Sequence, residues 1–105
     1  MRVYSMVRPK KLSQMPDAME RAEKLGYDGT TLLELTVPPT LSAAAGAMKT
    51  KNIKLMSGVF VAFPRSPMAT AYDAWALNEL TGGRFQLGIG SQIKAHLIRR
   101  FGMDF

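Results

Sequence analysis

The sequence has no cysteine, one histidine (His96) and one tryptophan (Trp75) in 105 residues. Without cysteine there is no disulfide framework, no thiolate metal ligand and no thiol nucleophile. A lone histidine excludes a multi-histidine metal centre within one chain, and no metal is expected. No apolar run approaches the roughly 20 residues that span a bilayer, and the first residues carry no signal-peptide cleavage pattern. A cytoplasmic location without a membrane partner is the expectation. Acidic residues are also scarce: eight Asp and Glu against fourteen Lys and Arg give a net charge of +6. The basic residues are scattered (Arg8, Lys10, Lys49, Lys54, Lys94, Arg99 among them) and no basic-helix motif gathers them. A solvated surface is the plain reading and a phosphate-attracting face the alternative, and no nucleic-acid partner is expected. The first strand–helix connection has neither a Gly-x-Gly-x-x-Gly cradle nor a P-loop, and Gly88-x-Gly90 lacks the third glycine of a dinucleotide fingerprint.

The composition that remains is that of a folded globule: 47% hydrophobic and 9% aromatic residues. Length suits one small domain spanning residues 1–105. Residues 2–7 read as a strand ended by Arg8-Pro9. A helix follows from Ser13 or Gln14 to about Leu25, with Ala18, Met19, Ala22 and Leu25 as its apolar stripe and Gly26 as its stop. Residues 30–35 are a β-rich run. Thr40 is the expected cap of an alanine-rich helix from Leu41 to about Thr50, whose small side chains permit close packing. Residues 53–62 (IKLMSGVFVA) form a nearly continuous apolar run, as in a strand covered on both faces, and Gly58 marks a bulge or close backbone approach within it. Ser66-Pro67 opens a helix to Leu80, with Met68, Ala71, Tyr72, Trp75 and Leu80 as candidate sheet-facing residues. Gly82-Gly83 closes it. Phe85, Leu87 and Ile89 alternate with Gln86 and Gly88 as a strand, and Ser91 is the expected cap of a last helix from Gln92 to Phe101, stopped by Gly102.

The order is therefore βαβαβαβα, with strand starts near residues 3, 30, 53 and 84, which predicts an α/β fold with a parallel sheet. Within this order, AEKLGYDGTTLLE and the run from Lys54 to Gly102, with its LTGGRF, LGIGSQ and HLIRRFG segments, resemble the bacterial-luciferase-like monooxygenase family. The nearest likeness is to its branch using the deazaflavin coenzyme F-420. Members of that family are (β/α)8 barrels, which take about 250 residues, so this chain resembles the N-terminal half: a (β/α)4 half of a TIM barrel. Strands one and four would then be open edges. A homodimer about a two-fold along the barrel axis would set strand four of one copy beside strand one of the other and close eight strands. A monomer with covered edges, another oligomer, or a fragment needing a partner half are the alternatives.

Active sites of such barrels lie at the C-terminal ends of the strands. Glu34 follows the second strand. The resemblance places it near the cofactor, whereas a solvent-facing or Lys/Arg-paired glutamate is the plain reading. At the third strand the resemblance implies a non-prolyl cis peptide backing the deazaflavin ring, equivalent to Gly58–Val59; the plain alternative is an ordinary glycine bulge. Ser91 and Gln92 open the last helix, whose free N–H groups suit an anion, and in the family this turn touches the cofactor's phosphate-bearing tail; simple capping by Ser91 is the alternative. His96 lies one turn on, near the cofactor by resemblance or else a structural histidine. No nucleophile–base pair or carboxylate pair is evident, so no catalytic residue is assigned. The resemblance implies hydride transfer between coenzyme F-420, or FMN, and an organic substrate, the protein chiefly positioning the cofactor. The alternative is a catalytically empty half-barrel that folds and self-associates.

Overall fold

Residues 1–103 are described by a computed structural model. Four short strands form one parallel sheet in the order β1 (Tyr4–Val7), β2 (Gly29–Leu32), β3 (Lys54–Ser57) and β5 (Phe85–Gln86). Beyond a break at residues 58–59 the third strand resumes as β4 (Phe60–Val61). The fourth resumes as β6 (Ile89–Gly90), and these two pieces pair in parallel with each other. Between the strands lie α1 (Met15–Lys24), α2 (Pro39–Ala47) and α3 (Pro67–Thr81), and α4 (Lys94–Phe101) follows. The expected alternation and parallel pairing are both present, as four consecutive β/α units.

Strand alternation sorts the two sheet faces. Val7, Leu32, Leu55 and Phe85 point to the helices and pack with Met15, Met19, Ala22, Ala43 and Leu77 in one core. The other face carries Tyr4, Thr31, Lys54, Met56 and Gln86, all partly exposed. Across it the Tyr4 hydroxyl donates to Gln86 Oε1 at 2.7 Å, linking the two edge strands of the sheet. Helices on one face and a polar, open second face are the layout of a β/α barrel cut along its axis.

The N-terminal ends of the strands are latched by polar groups. The Glu23 carboxylate accepts from the backbone N–H groups of Lys51, Asn52 and Ile53 at 2.7–2.9 Å. The Arg84 guanidinium donates to the Thr50 hydroxyl and to the Ile53 and Thr81 carbonyls.

Several boundaries and faces differ from the sequence expectation. On α3 the buried residues are Leu77 and Thr81, with Ala74 packed on the core. Met68 (66% exposed), Tyr72 (71%) and Trp75 (81%) face outward, and Leu80 is also exposed. Apolar residues occur all round this helix, so periodicity could not choose its buried side. Leu25 is exposed because it is the residue after α1 rather than part of its stripe. Helix α2 starts at Pro39, with proline rather than Thr40 setting its first turn, and ends at Ala47. Its tight spot lies against α1: a Cβ on Gly46 would run into the Met19 sulfur. The expected strand through Phe85, Leu87 and Ile89 is broken: it stops after Gln86 and resumes at Ile89, and Leu87 between the pieces and Ile89 beyond it are exposed while Phe85 is buried. Gly82 does close α3 in the left-handed conformation, at φ 62°.

Candidate functional site

At the C-terminal ends of the strands, the third and fourth strands are zipped together by glycine backbone. The Ser57 hydroxyl accepts from the Gly88 N–H (2.9 Å) and donates to the Gly88 carbonyl (3.0 Å). That carbonyl also accepts from the Phe60 N–H at 2.7 Å, and the Gly90 carbonyl from the Ala62 N–H at 3.0 Å. A Cβ on Gly88 would collide with the Ser57 carbonyl oxygen, and one on Gly90 would lie 2.8 Å from a Val59 methyl. The Gly88-x-Gly90 pair thus serves close strand approach, a demand that a glycine spacing alone does not reveal.

The Gly58–Val59 peptide is cis. Gly58 donates its N–H to the Leu32 carbonyl at 2.9 Å and passes so close to Thr31 that a Cβ would sit 2.5 Å from its methyl. Among the described residues the Val59 N–H and the Gly58 carbonyl make no backbone hydrogen bond. Gly58 and Val59 are each only half-buried.

Glu34 is 5% exposed at its side chain. Its Oε2 accepts from the Val61 N–H at 2.6 Å, and its Oε1 pairs with Arg65 Nη2 at 2.5 Å. Arg65 also donates to the Val61 carbonyl at 2.9 Å and stacks 4.0 Å from the centre of the Phe60 ring. From α4, Arg100 Nη2 donates to the carbonyls of Glu34 and Leu35, so α4 is tied to the end of the second strand.

Ser91 is exposed and does not cap α4. That helix starts at Lys94, with Ile93 as the capping residue and no side-chain cap. The reason is local: Gln92 sits at φ 63°, outside helical space, so the first turn cannot begin there. Gln92 Oε1 instead lies 3.1 Å from His96 Nδ1. The structure therefore brings Glu34 and the 58–59 segment together through Val61, and Gln92 and His96 together with each other. Among the described residues no hydrogen bond joins the two groups, and Gly90, held against Val59, is the backbone link between them. Arg65, Arg100 and Ser57 were not among the expected site residues. The signal for Arg65 was a cation flanked by Pro64 and Ser66-Pro67, just past the apolar strand that Glu34 would have to pair with.

The sequence model of the luciferase-like monooxygenase family matches residues 2–105. The chain belongs to the luciferase-like monooxygenase family. It is 36% identical over 97 residues to Rv1360 of Mycobacterium tuberculosis H37Rv and to Mb1395 of Mycobacterium bovis, both uncharacterised proteins. The match takes in 92% of this chain and 28% of each relative, so the chain spans little more than a quarter of their length. Among solved structures, one similar to this luciferase-like chain is the FMN complex of the oxygenating constituent of 3,6-diketocamphane monooxygenase from Pseudomonas putida. It has a TM-score of 0.84 and 22% identity, over 99% of this chain and 33% of that one. Another is the coenzyme F420-dependent tetrahydromethanopterin reductase of Methanopyrus kandleri, at TM-score 0.86 and 23% identity, over 99% and 30%. At such identities the likeness is one of fold. Among the described residues no helix is long and apolar enough to cross a membrane.

Proposed function

We propose that this luciferase-like chain supplies the cofactor-facing wall of a flavin- or deazaflavin-dependent oxidoreductase, and that a second copy completes its barrel. The observation that carries the reading is the bare Val59 N–H and Gly58 carbonyl at the C-terminal end of a parallel strand. This is where β/α barrels place their chemistry. What fits a ring there is the half-buried 58–59 peptide, whose Val59 N–H and Gly58 carbonyl have no backbone hydrogen bond among the described residues. The glycines at 58, 88 and 90 serve the protein's own packing, the space of each missing Cβ being taken by Thr31, the Ser57 carbonyl and Val59. Coenzyme F-420 or FMN, when bound, supplies the hydride chemistry with an organic substrate. Gly58 and Val59 back the ring, Ser91, Gln92 and His96 line the side of its phosphate-bearing tail, and Glu34 acts from behind the wall. Fold neighbours that bind FMN or depend on coenzyme F420 support this cofactor class.

The homodimer reading rests on the edges. Leu87, Ile89 and Ile93 are exposed along the β5–β6 side, and Val3 and Met6 at β1 on the opposite edge. Exposed apolar strand edges are normally paired. The same edges favour the second reading, a half-barrel that self-associates without redox function. Titrating the purified protein with FMN and with coenzyme F-420, followed by absorbance and fluorescence, separates the two. Saturable binding of either at tens of micromolar or below is expected. Binding of neither would leave the cofactor reading without support.

A further inference from the structure

We infer that Glu34 and Arg65 are a positioning pair that stands in for a missing strand and fixes the cofactor wall; this role rests on the cofactor reading above. The N–H groups of Phe60 in β4 and of Ala62 just past it point to the fourth strand, where the Gly88 and Gly90 carbonyls accept them. Backbone groups of the residue between them point the other way. On that side β2 has already ended at Leu32, so Val61, paired with Gly90 on its other side, has no strand neighbour there among the described residues. Glu34 and Arg65 fill the gap: one carboxylate oxygen takes the Val61 N–H, one guanidinium nitrogen takes the Val61 carbonyl, and the two side chains are paired with each other. Three contacts thus close a ring around a single residue.

The construction suits its place. A charged pair keeps its bonds short and directional where a neutral pair would slide, and the Phe60 ring beneath Arg65 fixes the guanidinium plane. Val61 is two residues from Val59, so any slip of β4 moves the bare 58–59 peptide. The glycine zipper to Gly88–Gly90 holds only the other side. Glu34 is too enclosed to touch a ligand itself. Its effect on a cofactor is indirect, through Val61.

The test compares Arg65→Met, Glu34→Gln and Arg65→Lys with the unmodified protein by two readouts. One is amide hydrogen exchange at Val59, Val61 and Ala62 without ligand, and the other is the dissociation constant for FMN and for coenzyme F-420. Arg65→Met should speed exchange at Val61 and Ala62 at least tenfold and weaken binding at least tenfold. Glu34→Gln should be milder, because the freed guanidinium can turn to water whereas a freed buried carboxylate cannot. Arg65→Lys keeps the charge and loses the fork. It should weaken binding about threefold, and it carries the test should Arg65→Met not fold. As a control, Glu23→Gln at the opposite end of the sheet should speed exchange at residues 51–53 and leave the dissociation constant within twofold. Folded Arg65 variants with unchanged exchange at residues 59–62 would overturn the inference. So would faster exchange with binding within twofold of the unmodified protein, the cofactor reading then standing. Unmodified protein that binds neither cofactor would overturn the cofactor reading and the positioning role with it.

Discussion

Glu23 offers a stability test whose size and pH dependence both follow from geometry. Its carboxylate accepts three consecutive backbone N–H groups ahead of β3, the last of them from Ile53, which is itself in the buried core. A hydrogen bond to a charged group contributes about 1.5–3 kcal/mol, but these three share largely one oxygen at a half-exposed site. Replacing Glu23 with alanine should therefore cost about 2–3 kcal/mol in total. For a domain of this size that is a fall in Tm of roughly 10–15 °C. Glu23→Gln keeps one neutral acceptor and should lose about half as much. Burial pushes the Glu23 carboxyl up, but the N–H groups of Asn52, Ile53 and Lys51, with the Arg84 guanidinium beyond them, hold it below its ordinary value of 4.5. A folded-state value below the unfolded one means stability that is complete above about pH 6 and is lost as pH falls through 4.5 and then through the folded value. Thermal unfolding followed by circular dichroism at pH 7 and pH 3 reads this directly. The gap between the unmodified protein and Glu23→Gln should be larger at pH 7 than at pH 3. A gap that is absent at pH 7, or the same at both pH values, would refute the reasoning.

Three further outcomes follow from the packing. Thr30 is fully buried, and among the described residues neither its hydroxyl nor that of Ser5, its register partner, has a hydrogen-bond partner. Thr30→Val should thus raise stability by about 1 kcal/mol in urea unfolding, and a clear loss would show that the hydroxyl is satisfied. Gly88→Ala drives a methyl into the Ser57 carbonyl and should cost about 2–3 kcal/mol, read as a lower urea midpoint. A cost below 0.5 kcal/mol, about the scale of ordinary surface changes, would mean that the two strands are not in close approach. Trp75, on the outer face of α3, should emit like a hydrated indole and be readily quenched by acrylamide; a blue-shifted, protected spectrum would place it in a core or an interface.

The architecture was legible because its signals are local. Proline at helix starts, glycine after helix ends and a continuous apolar third strand punctuate four β/α units, and all four are found. Faces were harder. On α3 the stripe through Ala74, Leu77 and Thr81 and the outward row of Met68, Tyr72 and Trp75 are equally apolar, so only the tertiary fit decides. Two mouth features are beyond a linear reading, one for a local reason and one for a tertiary one. By its place in the sequence Ser91 is a cap, but Gln92 after it holds a left-handed conformation and the helix starts later. Glu34 and Arg65 are 31 positions apart, and what joins them is the lack of a strand on the β2 side of Val61. An unmet backbone requirement of that kind appears only once the sheet is built.

The most direct measurement for the claim that this luciferase-like chain forms the wall of a two-copy flavin or deazaflavin barrel is sedimentation velocity. Protein at tens of micromolar is mixed with FMN or coenzyme F-420, and the boundary is monitored both at a visible wavelength that only the cofactor absorbs and in the protein's ultraviolet band. A cofactor boundary moving with a protein species of twice the chain mass is the expected result. Cofactor left behind by the protein, whatever the protein's mass, would contradict it.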